Sequence, residues 1–234
     1  ITYGISANAD IRATNISYSN NRMNFSLNIT NNKKYEENIY EIEFSMIGMH
    51  NVQNALATIA TGIELKIPLT KIKNTLKNFT GVQRRFQKVG DYKNTTIIDD
   101  YGHHPVEINS ALSAARLLAP KTKIIAIFQP HRYSRLRDLF DEFCSCFNNA
   151  DTVLLLDVYA AGENTIKNFN SSSLEKGLTK YGHKNVLYIS DQNLLAKKLL
   201  NIIKPNDLII CLGAGSITKI ANNLEEELKN EDRY

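Results

Sequence analysis

The sequence is poor in cysteine and has no long apolar run. It contains three cysteines among 234 residues, and Cys144 and Cys146 lie two positions apart in a helical pattern, where their side chains point in different directions. We therefore expect reduced thiols and a cytoplasmic protein. No apolar stretch approaches the roughly 20 residues that span a bilayer, so we expect no membrane segment.

Other common signatures of ligand binding and targeting are also missing. The net charge of +4 is mild, and lysine and arginine form no run, so we expect no nucleic-acid partner. No glycine is followed by lysine, which excludes a G-x-x-x-x-G-K-[ST] phosphate loop. His103 and His104 are too closely spaced for a zinc site, and we predict no metal ligands. Residues 1–4 show neither a signal-peptide pattern nor an initiator methionine, as expected of a fragment.

The first third of the chain changes from strand to helix periodicity. Apolar residues alternate with polar ones over 23–29 and 40–46, and the polar residues 31–34 between them predict an antiparallel hairpin. From residue 50 the apolar spacing becomes helical, which predicts helices over 51–65 and 69–79. We place a domain boundary at 80–82, giving domains of 1–80 and 81–234.

Beyond that boundary, strand and helix patterns alternate with short connections. Strands are predicted near 84–89, 95–98, 123–128, 152–157, 186–189 and 207–212. Helices are predicted near 105–119, 135–148, 171–180, 191–203 and 216–229. This alternation is typical of an α/β fold with a doubly wound, mostly parallel sheet.

Polar and ionisable residues follow several of these strands. The segments are DDYGHHP (99–105), QPHRYSR (129–135), LDVYAAGE (156–163) and GAGS (213–216). Ligands bind at the carboxyl ends of strands in open α/β sheets. Arg132 and Arg135 begin a predicted helix, where two cations are unfavourable without an anionic partner, so we predict an anion site there. The glycine turn at 213–216 is better explained by a tight strand-to-helix connection.

Two further groups have a functional and a structural interpretation. Asn51 and Asn54 share one face of the first helix with His50 nearby, and two amides can pair with a purine edge. The alternative is that Asn51 caps the helix and Asn54 meets solvent. Arg84 and Arg85 suit phosphate because guanidinium binds it bidentately. They are equally consistent with surface arginines at the start of a strand.

Six motifs in this order resemble the Mur ligase family across essentially the whole chain: HNVQNALA, GVQRRFQ, DDYGHHP, FQPHRYSRLRDLF, LDVYAAGE and GAGSI. The resemblance implies an ATP-dependent amide ligase of bacterial peptidoglycan synthesis, of the kind that adds L-alanine to UDP-N-acetylmuramate through an acyl phosphate. It also implies that 1–80 is the end of a central ATP-binding domain. Residues 81–234 would form a Rossmann-like C-terminal domain that binds the amino acid and substrate.

The resemblance further implies roles for individual residues. His50, Asn51 and Asn54 would contact adenine, Arg84 or Arg85 the ATP phosphates, and Asp100 the ribose or nucleotide. The muramyl and alanine side would be lined by Tyr101, His103, His131, Arg132 and Arg135. The catalytic set, which neutralises charge and positions the reactants, would be Arg84, Arg85, His103, His131, Arg132 and Arg135.

ATP and Mg²⁺ are the implied cofactors, with the Mg²⁺ ligands mostly in a part of the family fold that has no counterpart here. We therefore expect the isolated chain to be inactive. Two alternatives stay open: a non-catalytic module that binds a nucleotide or nucleotide-sugar, and the related murein-peptide recycling ligase, which accepts a peptide instead of alanine.

Overall fold

The computed structural model describes residues 1–30, 35 and 39–233. They form two compact units, Ile1–Gly81 and Val82–Tyr234. The turn predicted at 31–34 lies outside the described residues. Within the described ranges, no helix is both long enough and apolar enough to cross a membrane.

The first unit is a four-stranded sheet followed by two helices. The strands, in the order β1-β2-β3-β4, are β1 (Tyr3–Gly4), β2 (Ile11–Ser19), β3 (Arg22–Ile29) and β4 (Ile39–Phe44). The helices are α1 (Met49–Glu64) and α2 (Leu69–Asn78). Strands β3 and β4 pair antiparallel, which confirms the predicted pairing. Alternate residues of β3, such as Phe25 and Leu27, pack with Leu56 and Ile59 of α1 in one buried core.

The second unit is a six-stranded sheet with helices on both faces. Its strands are β5 (Gln87–Tyr92), β6 (Thr95–Asp100), β7 (Ile124–Phe128), β8 (Thr152–Leu155), β9 (Val186–Tyr188) and β10 (Leu208–Leu212). Its helices are α3 (Pro105–Leu118), α4 (Tyr133–Asp138), α5 (Phe140–Ser145), α6 (Ser171–Lys180), α7 (Leu195–Leu200) and α8 (Ile217–Glu231).

The strand order β5-β6-β10-β7-β8-β9 places β10 between β6 and β7. All pairs are parallel except β5 with β6. Ile98 and Ile210 face one core with α3, α5 and α6, whereas Ile97 and Ile209 face a second core with α7 and α8. This alternation buries both faces of the sheet and confirms the predicted doubly wound, mostly parallel α/β class.

Three predicted elements differ from those observed. The strand predicted at 84–89 starts only at Gln87, because Arg84 (φ 58°) and Phe86 (φ 50°) are in the left-handed region. The helix predicted at 135–148 is broken at Leu139 (φ −121°, ψ 29°). The helix predicted at 191–203 is a 3₁₀ turn, Gln192–Leu194, followed by α7, since the Asp191 carboxylate accepts from Asn193 N–H and starts a tighter turn.

Candidate functional site

Four loops of the second unit leave the sheet at one edge. Strands β6, β10, β7 and β8 are adjacent and parallel, so their carboxyl ends lie side by side. The loops that follow them are 101–104, 213–216, 129–132 and 156–170. Each predicted anion-binding residue of this unit lies on one of these loops, in the segment before β5 or at the start of α4. The fold therefore places these loops at the edge where a doubly wound sheet binds its ligand.

Asp100 hydrogen-bonds to both the segment before β5 and the loop after β6. Its Oδ2 accepts from Phe86 N–H at 2.8 Å, and its Oδ1 accepts from Gly102 N–H at 2.7 Å. Burial raises the pKa of this carboxyl, and the two backbone hydrogen bonds oppose that rise. Both carboxylate oxygens thus hold the chain around Arg85 and Tyr101, which is a structural use that the sequence did not indicate.

Arg84 and Asp99 form a second, deeper link. Asp99 is buried and accepts a hydrogen bond from the Thr218 hydroxyl. Arg84 donates from Nη2 to the carbonyl of Gly213 at 2.8 Å, and its Nε lies 3.7 Å from Asp99 Oδ2. The guanidinium of Arg84 is therefore held against the β10 turn by its own chain.

Arg85 is less constrained than its neighbour. Its side chain is 45% exposed, and its nearest carboxylate oxygen, on Glu107, is 3.9 Å away. Both guanidinium groups lie near the Tyr101 ring, at 4.6 Å for Arg84 and 5.5 Å for Arg85. Of the two arginines, Arg85 is the one whose charge remains available to an anion.

His103 and His104 divide into one site residue and one capping residue. His104 is the N-cap of α3: its Nδ1 accepts from Val106 N–H, while Glu107 accepts from the backbone N–H of both histidines. His103 instead turns its Nδ1 to the carbonyl of Tyr101 at 3.0 Å. The two adjacent histidines therefore have different hydrogen-bond partners and different local roles.

His131 lies in an aromatic and cationic cluster. Its ring stacks on Tyr159 with centroids 5.5 Å apart and an interplanar angle of 12°, and it lies 5.8 Å from the ring of His103. Arg135 Nη1 lies 3.2 Å from His131 Nδ1. Burial lowers the pKa of His131, and the positive charges of Arg135, His103 and Arg132 lower it further.

At the start of α4 the chain supplies its own anion. The Glu163 carboxylate accepts from Ser134 N–H at 2.9 Å and from the Ser134 hydroxyl at 2.6 Å. These two bonds lower the pKa of Glu163. An internal carboxylate therefore already occupies the first turn of this helix, and an external anion at the same place stays a prediction.

Arg132 is the cation that this arrangement leaves uncommitted. It is exposed, adopts φ 74°, and its side chain makes no hydrogen bond or ion pair within the described part of the chain. Its backbone N–H donates to the carbonyl of Tyr159 at 2.9 Å, which fixes the loop next to the His131–Tyr159 stack.

Sequence reasoning did not single out Tyr159, Glu163 or Gln129. The first two lie in the LDVYAAGE segment, which the sequence indicates as a polar strand end and a family motif without pointing to either residue. Gln129 is buried and its side chain bonds Ser216 and the N–H of Ile217, so it caps α8.

A Cβ on Gly215 would lie 2.5 Å from the Tyr159 ring, so the glycine turn is required for close packing.

In the first unit, the predicted adenine residues lie at the start of α1. Asn51 is buried: its Nδ2 donates to the carbonyl of Ile47 at 2.9 Å, and its Oδ1 accepts from Asn54 Nδ2 at 3.3 Å. Asn54 is exposed and His50 is half-buried. The N-cap is Gly48, so the alternative that Asn51 caps this helix is wrong.

Comparison with known proteins agrees with this architecture. The family model described as "Mur ligase middle domain" matches residues 1–62, and the one described as "Mur ligase, glutamate ligase domain" matches residues 84–215. The chain belongs to the Mur ligase family. The DDYGHHP, PHRYSR and LDVYAAGE loops all lie within the second match.

Curated members of the Mur ligase family are similar to nearly all of this chain. The UDP-N-acetylmuramate–L-alanine ligase of Rhodospirillum rubrum is 45% identical over 98% of this chain and 48% of its own length. The ligase of the same name from Gluconobacter oxydans is 44% identical over 100% of this chain and 49% of its own length. The chain thus spans about half the length of the curated relatives it matches.

Solved structures of the Mur ligase family share the fold. The UDP-N-acetylmuramate-alanine ligase MurC of Thermotoga maritima superposes with a TM-score of 0.79 at 26% identity, covering 99% of this chain and 48% of that one. A murein peptide ligase from Psychrobacter arcticus superposes with a TM-score of 0.65 at 22% identity, covering 98% and 46%. The second likeness shows the fold alone.

Proposed function

We propose that this chain supplies part of an ATP-dependent ligase that joins L-alanine to UDP-N-acetylmuramate during peptidoglycan synthesis in the bacterial cytoplasm. The proposal is supported by curated relatives of that name that are 43–45% identical over nearly the whole chain. The murein-peptide recycling ligase is less well supported, since the likeness to the Psychrobacter arcticus structure is one of fold.

In this reaction ATP phosphorylates the muramyl carboxylate, and the amine of L-alanine attacks the acyl phosphate. The new C–N bond forms, the amine loses a proton, and phosphate leaves as the tetrahedral intermediate collapses. Every species on this path carries negative charge on oxygen, so a site must bring fixed donors to those oxygens and position the amine.

The observation that carries the proposal is the uncommitted Arg132 beside the His103–His131–Tyr159 cluster. Arg132 is exposed, the rings of His103 and His131 are half-buried, and the exposed Tyr159 ring stacks on His131. We assign Arg132 to an anionic oxygen of the muramyl or alanine substrate, with His103, His131 and Tyr101 lining the same side. Arg135 acts through His131 and not by direct contact.

The nucleotide contacts are proposed unit by unit. In residues 1–80, proposed as the end of the ATP-binding domain, Asn54 and His50 would contact adenine while Asn51 holds the helix start. In residues 81–234, proposed as the amino-acid and substrate domain, Arg85 is better suited to the ATP phosphates than Arg84, which its own chain occupies. Asp100 supports Arg85 through its bond to Phe86 N–H.

ATP and Mg²⁺ are the proposed cofactors of the complete reaction. Among the described residues, no group of three or more His, Cys, Asp or Glu side chains is arranged to hold a metal ion. The described residues therefore do not fit a Mg²⁺ site, and no step above is assigned to the metal.

The test is a chimera in which these 234 residues replace the matching half of the Rhodospirillum rubrum ligase. We expect phosphate release from ATP that requires both L-alanine and UDP-N-acetylmuramate, with the amide product identified by mass spectrometry. The isolated chain should release no phosphate, because its sequence has no phosphate loop.

Two outcomes would contradict the proposal. A folded chimera that accepts a murein peptide in place of alanine would favour the recycling ligase. Tight binding of ATP or UDP-N-acetylmuramate to the isolated 234-residue chain in calorimetry, together with a folded chimera that forms no amide, would favour a non-catalytic binding module.

A further inference from the structure

The two site histidines meet different partners at the same ring nitrogen. His103 and His131 come from neighbouring loops, and their rings lie 5.8 Å apart at an interplanar angle of 62°. A neutral imidazole carries one proton, either on Nδ1 or on Nε2, and its hydrogen-bond partners decide which. Nδ1 of His103 faces only acceptors, and Nδ1 of His131 faces a donor.

At His103, Nδ1 faces two acceptors. The carbonyl oxygen of Tyr101 is 3.0 Å away and Glu107 Oε2 is 3.3 Å away. Neither atom can donate when Glu107 is ionised. Burial raises the pKa of Glu107, but the N–H groups of His103 and His104 and the nearby positive charges outweigh it, so that this pKa is lowered overall. His103 must therefore carry a proton on Nδ1, which leaves a lone pair on Nε2 when the ring is neutral.

At His131, Nδ1 faces a permanent donor. Arg135 Nη1 lies 3.2 Å from His131 Nδ1 and also donates to the His131 carbonyl at 3.0 Å. Guanidinium has no acceptor atom and does not lose its proton in proteins, so His131 Nδ1 must accept. The neutral ring then carries its proton on Nε2.

We propose that Glu107 and Arg135 are positioning residues that hold His103 and His131 in opposite tautomers, so that the pair offers one Nε2 lone pair and one Nε2–H. Within the described residues, neither Nε2 has a hydrogen-bond partner. The stack on Tyr159 restrains the His131 ring, and Tyr159 is itself packed against Gly215.

The charges around His131 favour its neutral form. Burial lowers the pKa of His131, the charges of Arg135 on α4 and of Arg132 just before that helix lower it further, and Glu163 on the β8 loop opposes them. His103 on the β6 loop acts in the same direction as the arginines when its own ring is protonated. His131 is thus a neutral donor at Nε2, and the exposed Arg132 beside it adds a positive charge.

Such a pair recognises a group that has an N–H donor on one side and an oxygen acceptor on the other. An amine beside an acyl or carboxylate oxygen has this character. This reading of the pair rests on the proposed amide-forming function, but the tautomers themselves follow from geometry alone.

The test is ¹⁵N NMR of the 234-residue chain labelled at histidine, recorded above the ordinary histidine pKa of about 6.5. His103→Gln and His131→Gln assign the two rings. We expect the proton on Nδ1 in His103 and on Nε2 in His131. Finding the same tautomer in both rings would overturn the proposal, whether or not the ligase assay succeeds.

Arg135→Gln provides the second measurement. Loss of the guanidinium should raise the pKa of His131 in a pH titration and mix its tautomers, while the His103 signals keep theirs. Arg137→Gln is the matched control: it removes an exposed arginine of the same helix that pairs with Asp138, and it should change neither ring. An unchanged His131 in Arg135→Gln would overturn the positioning role. An inactive chimera with the expected NMR result would count against the proposed function only.

Discussion

The starts of α1 and α4 present the same polar spacing but use it in opposite order. Each has two identical side chains three residues apart: Asn51 and Asn54 in the first unit, Arg132 and Arg135 in the second. In α1 the first residue is buried and hydrogen-bonded while the second is exposed. In α4 the first is exposed and uncommitted while the second binds His131.

Two polar residues on one helix face are therefore not necessarily two ligand contacts. One member secures the local structure and the other remains available. The member that secures the local structure is the one with a hydrogen-bond partner in the chain. Asn51 bonds to the carbonyl of Ile47, and Arg135 bonds to the ring and the carbonyl of His131.

The largest expected effect is on Arg132. In the chimera, Arg132→Ala should lower kcat/KM by roughly tenfold or more, since a charge-assisted hydrogen bond contributes about 1.5–3 kcal/mol. Steady-state kinetics with varied UDP-N-acetylmuramate and L-alanine would measure it. Arg137→Ala, on the same helix, should leave the kinetics unchanged. Equal losses in both variants would mean that general charge, and not the position of Arg132, matters.

A smaller effect is expected on the free energy of unfolding, which should fall more for Asn51→Ala than for Asn54→Ala. Asn51→Ala removes the bond to the Ile47 carbonyl and should lower the free energy of unfolding by about 1–2 kcal/mol. Asn54→Ala should change it by less than about 0.5 kcal/mol, because the side chain is exposed. Urea unfolding of the 234-residue chain measures both.

Asn54 is expected to affect ATP binding more than stability, the reverse of Asn51. Asn54→Ala should raise the KM for ATP in the chimera by roughly two- to tenfold, the value of one neutral hydrogen bond. If instead Asn54→Ala destabilises the fold as much as Asn51→Ala does, the division of labour at α1 is wrong.

The smallest expected effect is on the pH dependence of stability, through the Glu163 carboxylate at the start of α4. Because the folded-state pKa of Glu163 is lowered, its ionised form stabilises the fold above the ordinary glutamate pKa of about 4.3, and this contribution is lost as pH falls through the folded-state value. Glu163→Gln should therefore be less stable than the wild type near pH 7, and the gap should close between about pH 5 and pH 3. Thermal melts across that range measure it.

Glu227→Gln is the control for that measurement, since Glu227 is an exposed glutamate on α8. This variant removes the same charge away from Ser134, so an equal pH-dependent gap there would assign the effect to net charge and not to the Glu163–Ser134 contact. A gap for Glu163→Gln that widens on acidification would contradict the assigned role of this carboxylate.

The elements of the fold were largely predictable, because they depend on local periodicity. The parallel strands β6, β7, β8 and β10 follow from short β-branched runs, and α1 follows from helical spacing. One of the misses, the late start of β5, occurs where a distant group intervenes. Asp100 bonds to Phe86 N–H across 14 residues and delays β5, a contact that no window of sequence displays.

The site was predictable as a set of loops but not as a set of contacts. Strand ends with Arg, His and Asp indicated where ligands bind, and the predicted residues of the second unit do lie on adjacent loops or flanking segments. Tyr159 and Glu163 were missed because their importance comes from His131 and Ser134, which are more than 20 positions away in the chain.

The alternation of strands and helices, the loops that carry charge and the membership of the Mur ligase family can all be read from the sequence, since each depends on local patterns and motifs. Which polar side chain remains available depends instead on contacts between distant parts of the chain. Arg84 and Arg85 are neighbours of identical chemistry, yet Gly213 and Asp99 occupy one guanidinium and leave the other exposed. The physical reason is that a hydrogen-bonding group is committed by whatever the fold brings within about 3 Å of it, and sequence spacing does not contain that distance.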